Sequence, residues 1–263
     1  MRVYQYVKAD VLRHALTPEG FWVKASHPCD FNDPFECTGG VFGCPTRTFI
    51  EEFYAERPDQ FLVALQHGDT TKYVGNWLWN AFHDRKFLGQ AYKISCFVDA
   101  LGANLFAGSD IRMWAHYAGF GMGVRLEFDT EKMPFHPEVI RYTEDAPKLD
   151  LSTVHHISEL NSFIEKCLVT KHKIWESEQE VRIVFRGPND AVHLDSENKI
   201  YRWLLPLDSL VGITIGEPLL KAMDGKVEQI LRGVIEGCKR HVALYAAIRD
   251  YNVYGMSYGS VAL

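Results

Sequence analysis

In Trp175-Glu-Ser-Glu-Gln-Glu-Val-Arg-Ile-Val-Phe185 the charged Glu178, Glu180 and Arg182 and the apolar Val181, Ile183 and Phe185 each recur at every second position, the period-two pattern of a strand with one buried face. A strand over Glu178 to Phe185 sends Val181, Ile183 and Phe185 into a core and aligns Glu178, Glu180 and Arg182 on the opposite face, with Glu176 joining the row if the strand starts early. Two carboxylates and a guanidinium on one face are costly to bury unless they are paired or used on a ligand. A solvent-facing edge carrying a cross-face ion pair also accounts for the row. The apolar face anchors the strand in either case, so its carboxylates have a firm base.

Working outward, a helix is expected over roughly Ser152 to Lys173, preceded by a strand around Val139 to Tyr142. Gly123 to Phe128 and Tyr92 to Val98 read as strands, with a short helix over Asp110 to Tyr117 between them. From Thr46 to Phe87 the apolar residues recur at helical spacing (Phe49, Ile50, Phe53, Tyr54, then Tyr73, Val74, Trp77, Leu78), which predicts a helical insertion over residues 46–90 with an aromatic stripe packed on the rest of the chain. The opening reads as strand (Arg2 to Val7), helix (Ala9 to Leu16), a turn at Thr17-Pro-Glu-Gly20, and strand (Phe21 to Ala25). Pro28 and Pro34 then exclude regular structure and place Phe31-Asn-Asp-Pro-Phe-Glu36 on a loop. Beyond Phe185 the pattern gives strand (Leu210 to Ile215), helix (Leu219 to Cys238) and strand (Val242 to Arg249). This order predicts an α+β fold, a single domain over 1–263 with a mixed, mainly antiparallel sheet and attached helices.

Composition narrows the classes of function. The chain has 263 residues, 47% of them hydrophobic, with 28 basic against 34 acidic residues and a formal charge of -6. Such a charge supplies no overall basic field to gather polynucleotide, although a local stripe could still do so. No apolar run approaches the ~18 residues that span a bilayer, and Met-Arg-Val-Tyr-Gln-Tyr6 is no signal peptide, so a cytoplasmic protein without a membrane partner is expected. None of the six cysteines forms a Cys-x-x-Cys pair, and free thiols follow from the compartment. No phosphate-cradling loop, dinucleotide fingerprint, His-Glu-x-x-His or Gly-x-Ser-x-Gly is present. Gly119-Phe-Gly-Met-Gly123 reads as a turn, and His155-His156 as solvated.

Two further clusters carry chemistry. In Asn32-Asp-Pro-Phe-Glu36, turn formation explains Asn32, Asp33 and Pro34 but not Glu36 beside two phenylalanines. In Met113-Trp-Ala-His-Tyr117, Trp114 reads as core, whereas His116 fits a general base, a substrate contact or a core histidine held by one hydrogen bond.

Taken in order, Tyr4-Gln-Tyr6, Phe31-Asn-Asp-Pro-Phe-Glu36, Ser95-Cys-Phe97, Met113-Trp-Ala-His-Tyr117, Gly123 and Trp175-x-x-Glu-x-Glu-x-Arg182 resemble a bacterial family known as domain of unknown function 2971, over nearly the whole chain. That family usually has a basic residue where this chain has Gln5. More distantly the chain resembles mono-ADP-ribosyltransferases, whose split-sheet fold also opens strand, helix, turn, strand. This second resemblance implies NAD as substrate, Glu180 as catalytic carboxylate, Glu178 orienting or deprotonating the acceptor, Ser95 positioning Glu180, and Tyr6 flanking the nicotinamide where the transferases carry Arg or His. A late glutamate suits the oxocarbenium-like charge that grows as nicotinamide leaves. On the same expectation His116 joins the catalytic group, and Tyr4, Tyr6, Asn32, Asp33, Glu36 and Arg182 bind NAD. No metal site is expected in that case. The acceptor would be a protein or nucleic acid, and the partners an antitoxin or other defence-system component, as for a toxin or phage-defence effector. Two alternatives use the same residues: a magnesium-dependent nuclease or phosphodiesterase with Asp33, Glu36, Glu178 and Glu180 on the metal and Arg182 on a phosphate, and a noncatalytic nucleotide sensor.

Overall fold

A computed structural model describes residues 1–31, 33, 35–83, 91–105, 109–197, 199–222, 231, 236, 242–250, 252 and 255–260. The fold is mixed α+β around an open, mainly antiparallel eight-stranded sheet. From one edge to the other, its strands are Gly255–Ser260, Ala243–Asp250, Leu210–Gly216, Gly123–Asp129, Arg2–Lys8, Tyr92–Asp99, Glu180–Arg186 and Glu138–Val139. Among the described strands of this sheet, only Leu210–Gly216 and Ala243–Asp250 run parallel. A second, four-stranded sheet (His193–Asp195, Ile200–Pro206, Gly20–Ala25, Leu16–Thr17) covers one face of the first.

The alternation in the sequence decides which face is which. Val3, Val7, Phe97, Val181, Ile183 and Phe185 meet Phe21, Val23, Trp203 and Leu205 of the smaller sheet in one apolar core. On the other face, the helices Arg47–Glu56 and Thr70–His83 pack with Ile157–Leu168 over Tyr92 and Ile94. Phe49, Phe53, Val74 and Leu78 are the buried stripe of that helical insertion, as their spacing predicts. Its continuation through 84–90 lies outside the described residues.

One irregularity of the large sheet shapes everything that follows. Arg2–Lys8 pairs with Gly123–Asp129 along its whole length, seven residues in register. With Tyr92–Asp99 it shares only Val3↔Asp99 and Tyr4↔Val98, after which the two strands part. The backbone edge that Tyr92–Asp99 loses there is taken up by Ser26, whose N–H and C=O bond Ile94 at 2.8 and 2.9 Å. The sheet is thus split, and the strand Gly20–Ala25 leads into the closure of the far end of the gap.

The structure corrects several expected boundaries. The helix expected over Ser152 to Lys173 spans Ile157–Leu168, and the chain then becomes a strand at Thr170–His172, parallel to Arg141–Thr143. Glu178–Phe185 does not form one strand: Lys173–Glu178 is a 3-10 helix, Gln179 adopts the left-handed conformation (φ 47°, ψ 48°), and the strand begins at Glu180. The strands Ile200–Pro206 and Gly255–Ser260 lay outside the sequence reading. Of the helix expected over Leu219 to Cys238, the described part is Glu217–Ala222, with Leu231 and Glu236 also helical. Gly119–Gly123 is a turn as read, and the strand after it needs glycine: a Cβ at Gly123 would collide with the Val7 carbonyl. Cys29, Cys37, Cys44, Cys96 and Cys167 are free thiols. Among the described residues no helix is long and apolar enough to cross a membrane.

Candidate functional site

The gap between the parted strands opens into a cavity of about 520 Å³. Tyr4, Gln5 and Tyr6 all line it, and so do Cys96, Phe97 and Val98. Successive residues of a strand point to opposite faces, so a cavity lined by three in a row on both strands passes between them and does not merely sit on one face. Tyr6 meets Trp114 edge-on at 5.4 Å, and the Tyr4 ring lies 4.2 Å from the Arg125 guanidinium. The Gln5 side-chain oxygen is buried and has no hydrogen-bond partner among the described residues.

At the other side of the cleft stands a dense ionic cluster. The Lys171 ammonium donates to Glu178 at 2.7 Å and to Glu180 at 2.9 Å, with Glu36 at 3.5 Å and the Trp175 ring 5.3 Å away. Arg182 donates through Nε to Glu180 at 2.6 Å and through Nη1 to the Leu168 carbonyl at 2.6 Å, and its Nη2 pairs with Glu36. Each group arrives from a different element. The short parallel pair brings Lys171 beside its register partner Tyr142, whose hydroxyl accepts the backbone N–H of Glu180 at 2.8 Å. The left-handed turn at Gln179 sets Glu178 on the same ammonium as Glu180 although the two lie on different elements. Glu36 comes from the loop after Asp33, which is itself fixed by an Asx turn, its carboxylate accepting the Phe35 N–H at 2.9 Å.

Electrostatics follow from burial. Desolvation raises the Glu180 carboxyl above its ordinary value, while Lys171 opposes the shift. Burial pulls the Lys171 ammonium down, but the charges and hydrogen bonds of Glu180 and Glu178 outweigh it and leave its pKa raised. Cys96 and Tyr117, both cleft-lining, are pushed up chiefly by burial and then by neighbouring carboxylate charge, so both stay protonated at neutral pH.

The structure brings Tyr4, Tyr6, Asp33, Glu36, His116, Glu178 and Glu180 to this one cleft. His116, on the last turn of Ser109–His116, is exposed and reads as a mouth residue, not a core histidine. Asn32 lies outside the described residues. Two expected roles are corrected. Ser95 pairs with Ile183, and hence faces the apolar core: its hydroxyl donates to the Lys24 carbonyl at 2.7 Å and accepts from Trp203 at 2.8 Å. On that strand Val98 is the register partner of Glu180, and Cys96, two residues before it on the same face, meets the Glu180 carboxylate. Arg182 is not among the residues that line the cleft; its side chain is 0% exposed, and its contacts include Glu180, Glu36 and the Leu168 carbonyl, so it is placed to hold carboxylates. Lys171 escaped the sequence reading, and Gln5 entered it only as a departure from the family pattern.

Three carboxylates do converge, as the magnesium reading requires, but the point they share is occupied by the Lys171 ammonium. Among the described residues no group of His, Cys, Asp and Glu stands in a metal-holding arrangement. A cleft with a fixed carboxylate row on one side, aromatic rings on the other and an unmet buried acceptor suits a small aromatic ligand carrying hydroxyl and amide groups. No curated protein matches the chain, and no solved structure does. The segment from the Met113-Trp-Ala-His-Tyr117 helix to Ile183, which carries Lys171, Glu178, Glu180 and Arg182, is matched by a known family, so that over residues 113–183 the chain bears the signature of Protein of unknown function (DUF2971).

Proposed function

We propose that the chain is an ADP-ribosyltransferase-like enzyme that binds NAD in the split between Arg2–Lys8 and Tyr92–Asp99 and transfers ADP-ribose to a macromolecular acceptor, as a toxin or phage-defence effector. The observation that carries this reading is the cavity between the parted strands, with aromatic Tyr4 and Tyr6 on one wall and Glu178 and Glu180 on the other. In it, the nicotinamide ring lies against Tyr6, and its carboxamide N–H meets the unmet Gln5 oxygen. The bond between ribose C1′ and the nicotinamide nitrogen breaks, with its electron pair leaving on nicotinamide. Positive charge then develops at C1′, and the Glu180 carboxylate, already oriented by Lys171 and Arg182, stabilises it with no reorganisation at the moment of reaction. The acceptor nucleophile bonds to C1′ and gives its proton to Glu178, the more exposed of the two glutamates at 14%. His116 stands at the mouth, on the acceptor's path.

The test is Glu180→Gln, assayed by transfer of label from NAD to protein or nucleic acid in a lysate of the native host. Transfer is expected to fall by about 10²–10³, with NAD-induced thermal stabilisation retained. A variant that transfers at the wild-type rate overturns the role of Glu180. Wild-type protein that NAD stabilises but that never consumes it is a sensor instead, and stabilisation by magnesium alone, with magnesium-dependent cleavage of DNA or RNA, returns the nuclease.

A further inference from the structure

Only 7% of the Lys171 side chain is exposed, yet it lines the cleft and touches three carboxylates that come from three separate elements. Arg182, the other cation of the cluster, is engaged with Glu180, Glu36 and the Leu168 carbonyl, and none of its contacts among the described residues is to Glu178. Glu178 therefore has Lys171 as its cationic partner, with the Tyr117 hydroxyl at 3.3 Å as its other contact. The geometry points to Lys171 as a positioning residue of the proposed transferase: its ammonium clamps Glu178 and Glu180 at a fixed spacing toward the cleft and supplies the counter-charge that lets both stand there as carboxylates. This assignment deepens the transferase reading and rests on it for its catalytic meaning, while the clamp itself can be measured without catalysis.

The structure also says why a lysine and not a second arginine holds this place. Its side chain comes off a three-residue strand beside Tyr142, and a single ammonium reaches Glu178, Glu180 and Glu36 from one point with its three donors. The groups around the Glu180 carboxyl are Lys171 and the Tyr142 hydroxyl from the parallel pair, Glu178 from the 3-10 helix, and Arg182 from its own strand. Cys96 faces it from Tyr92–Asp99, Glu36 from the loop, and Tyr117 from the end of the helix that precedes the glycine turn. Of these, Lys171 and Arg182 bring the positive charge. Removing the Lys171 charge leaves two like-charged neighbours facing Glu180 against Arg182 alone, and the carboxyl must take up its proton at higher pH.

The experiment follows the glutamate side-chain carboxyl signals by carbon-13 NMR across pH in the full chain, with Glu180→Gln to assign the Glu180 signal. In Lys171→Met the Glu180 midpoint is expected to rise by about one unit or more, equivalent to a tenfold change in proton affinity, and Lys171→Arg should return most of it. Glu178→Gln, which removes a like charge and leaves the cation in place, should move the midpoint the opposite way and keeps the test available if Lys171→Met does not fold. An unchanged midpoint in Lys171→Met, or an upward shift in Glu178→Gln, overturns the assignment. In parallel, the acid limb of the NAD-consumption profile should move upward with the NMR midpoint in Lys171→Met. An NMR shift in a protein that consumes no NAD at any pH removes the transferase reading and leaves the clamp standing, whereas NAD consumption whose pH profile ignores Lys171 removes the clamp and leaves the transferase.

Discussion

Arg182→Met separates a structural guanidinium from a ligand-binding one. The wild-type side chain is wholly buried, donates at 2.6 Å to both the Glu180 carboxylate and the Leu168 carbonyl, pairs with Glu36, and lies 5.1 Å from the Phe31 ring. Methionine keeps much of the volume and removes every donor. Breaking a buried pair from one side leaves an uncompensated charge, which costs about 3–5 kcal/mol, and the orphaned Leu168 carbonyl adds to the loss. Against a total stability on the order of 5–15 kcal/mol that is a large fraction, and it lowers the midpoint of thermal unfolding by roughly 10 °C. The pH dependence has a definite sign. Without Arg182 the folded-state pKa of Glu180 rises further above the unfolded glutamate value near about 4.3, so the folded state holds a proton that the unfolded state has released. Stability is then present at or below that value and is lost as pH rises through the raised one, which makes the deficit of the variant smaller at pH 5 than at pH 7. Urea unfolding of wild type, Arg182→Met, Glu180→Gln and the double variant at both pH values measures this. The double variant should lose at least about 1 kcal/mol less than the sum of the singles, since both remove one interaction. A loss below about 1 kcal/mol, strict additivity, or a deficit that grows on acidification would show that Arg182 is not the internal partner its geometry makes it.

Two other substitutions test the two sides of the split strand pair. Ser95→Ala should destabilise the fold by about 1–3 kcal/mol, because the Trp203 indole N–H loses its buried acceptor, while NAD affinity stays unchanged; a calorimetric titration showing weakened NAD binding would return Ser95 to the site. Gln5→Leu removes the unmet buried oxygen at the cleft, and it should leave or raise thermal stability while weakening NAD binding by about tenfold, the size of one hydrogen bond to a neutral group; unaltered binding would place the carboxamide elsewhere.

Most of the strands of the large sheet were legible because one of their faces is apolar and the period is unmistakable: Val181, Ile183 and Phe185 report their face without any tertiary knowledge. The site was legible only as a set of residue types. Tyr92–Asp99 is buried on both faces, so its sequence cannot say whether Ser95 or Cys96 shares the face of Glu180; the register Arg182↔Cys96 and Ile183↔Ser95 decides it, and a slip of one residue would exchange them. Lys171 was hidden for a different reason. The apolar positions of Ile157–Leu168 continue into Val169, and a helix extended to Lys173 swallows the three-residue strand that delivers the ammonium. Such a strand carries no periodic signal of its own, since its partner Arg141–Thr143 lies nearly thirty residues upstream. Ile200–Pro206, by contrast, could have been found: Tyr201, Trp203 and Leu205 alternate with Arg202 and Leu204, and its pairing with Gly20–Ala25 completes the second wall of the core.

The cluster also bears on why the sheet is split at all. Glu36, Glu178, Glu180, Lys171 and Arg182 occupy a volume that five apolar side chains could fill, and a buried ionic network of this kind is commonly no more stable than its hydrophobic replacement. Stability therefore does not explain it. Nor does sheet pairing require the gap, because Arg2–Lys8 bonds its other neighbour along its full length and has the residues to continue alongside Tyr92–Asp99 beyond Tyr4. Ser26, just past the end of the second-sheet strand Gly20–Ala25, instead satisfies the freed Ile94 backbone, which keeps the gap open at no loss of hydrogen bonds at that point. An opening held by one set of contacts and a carboxylate row held by another, meeting in one cavity, are two costly departures from the simplest packing, and a ligand bound between them gives both the same reason.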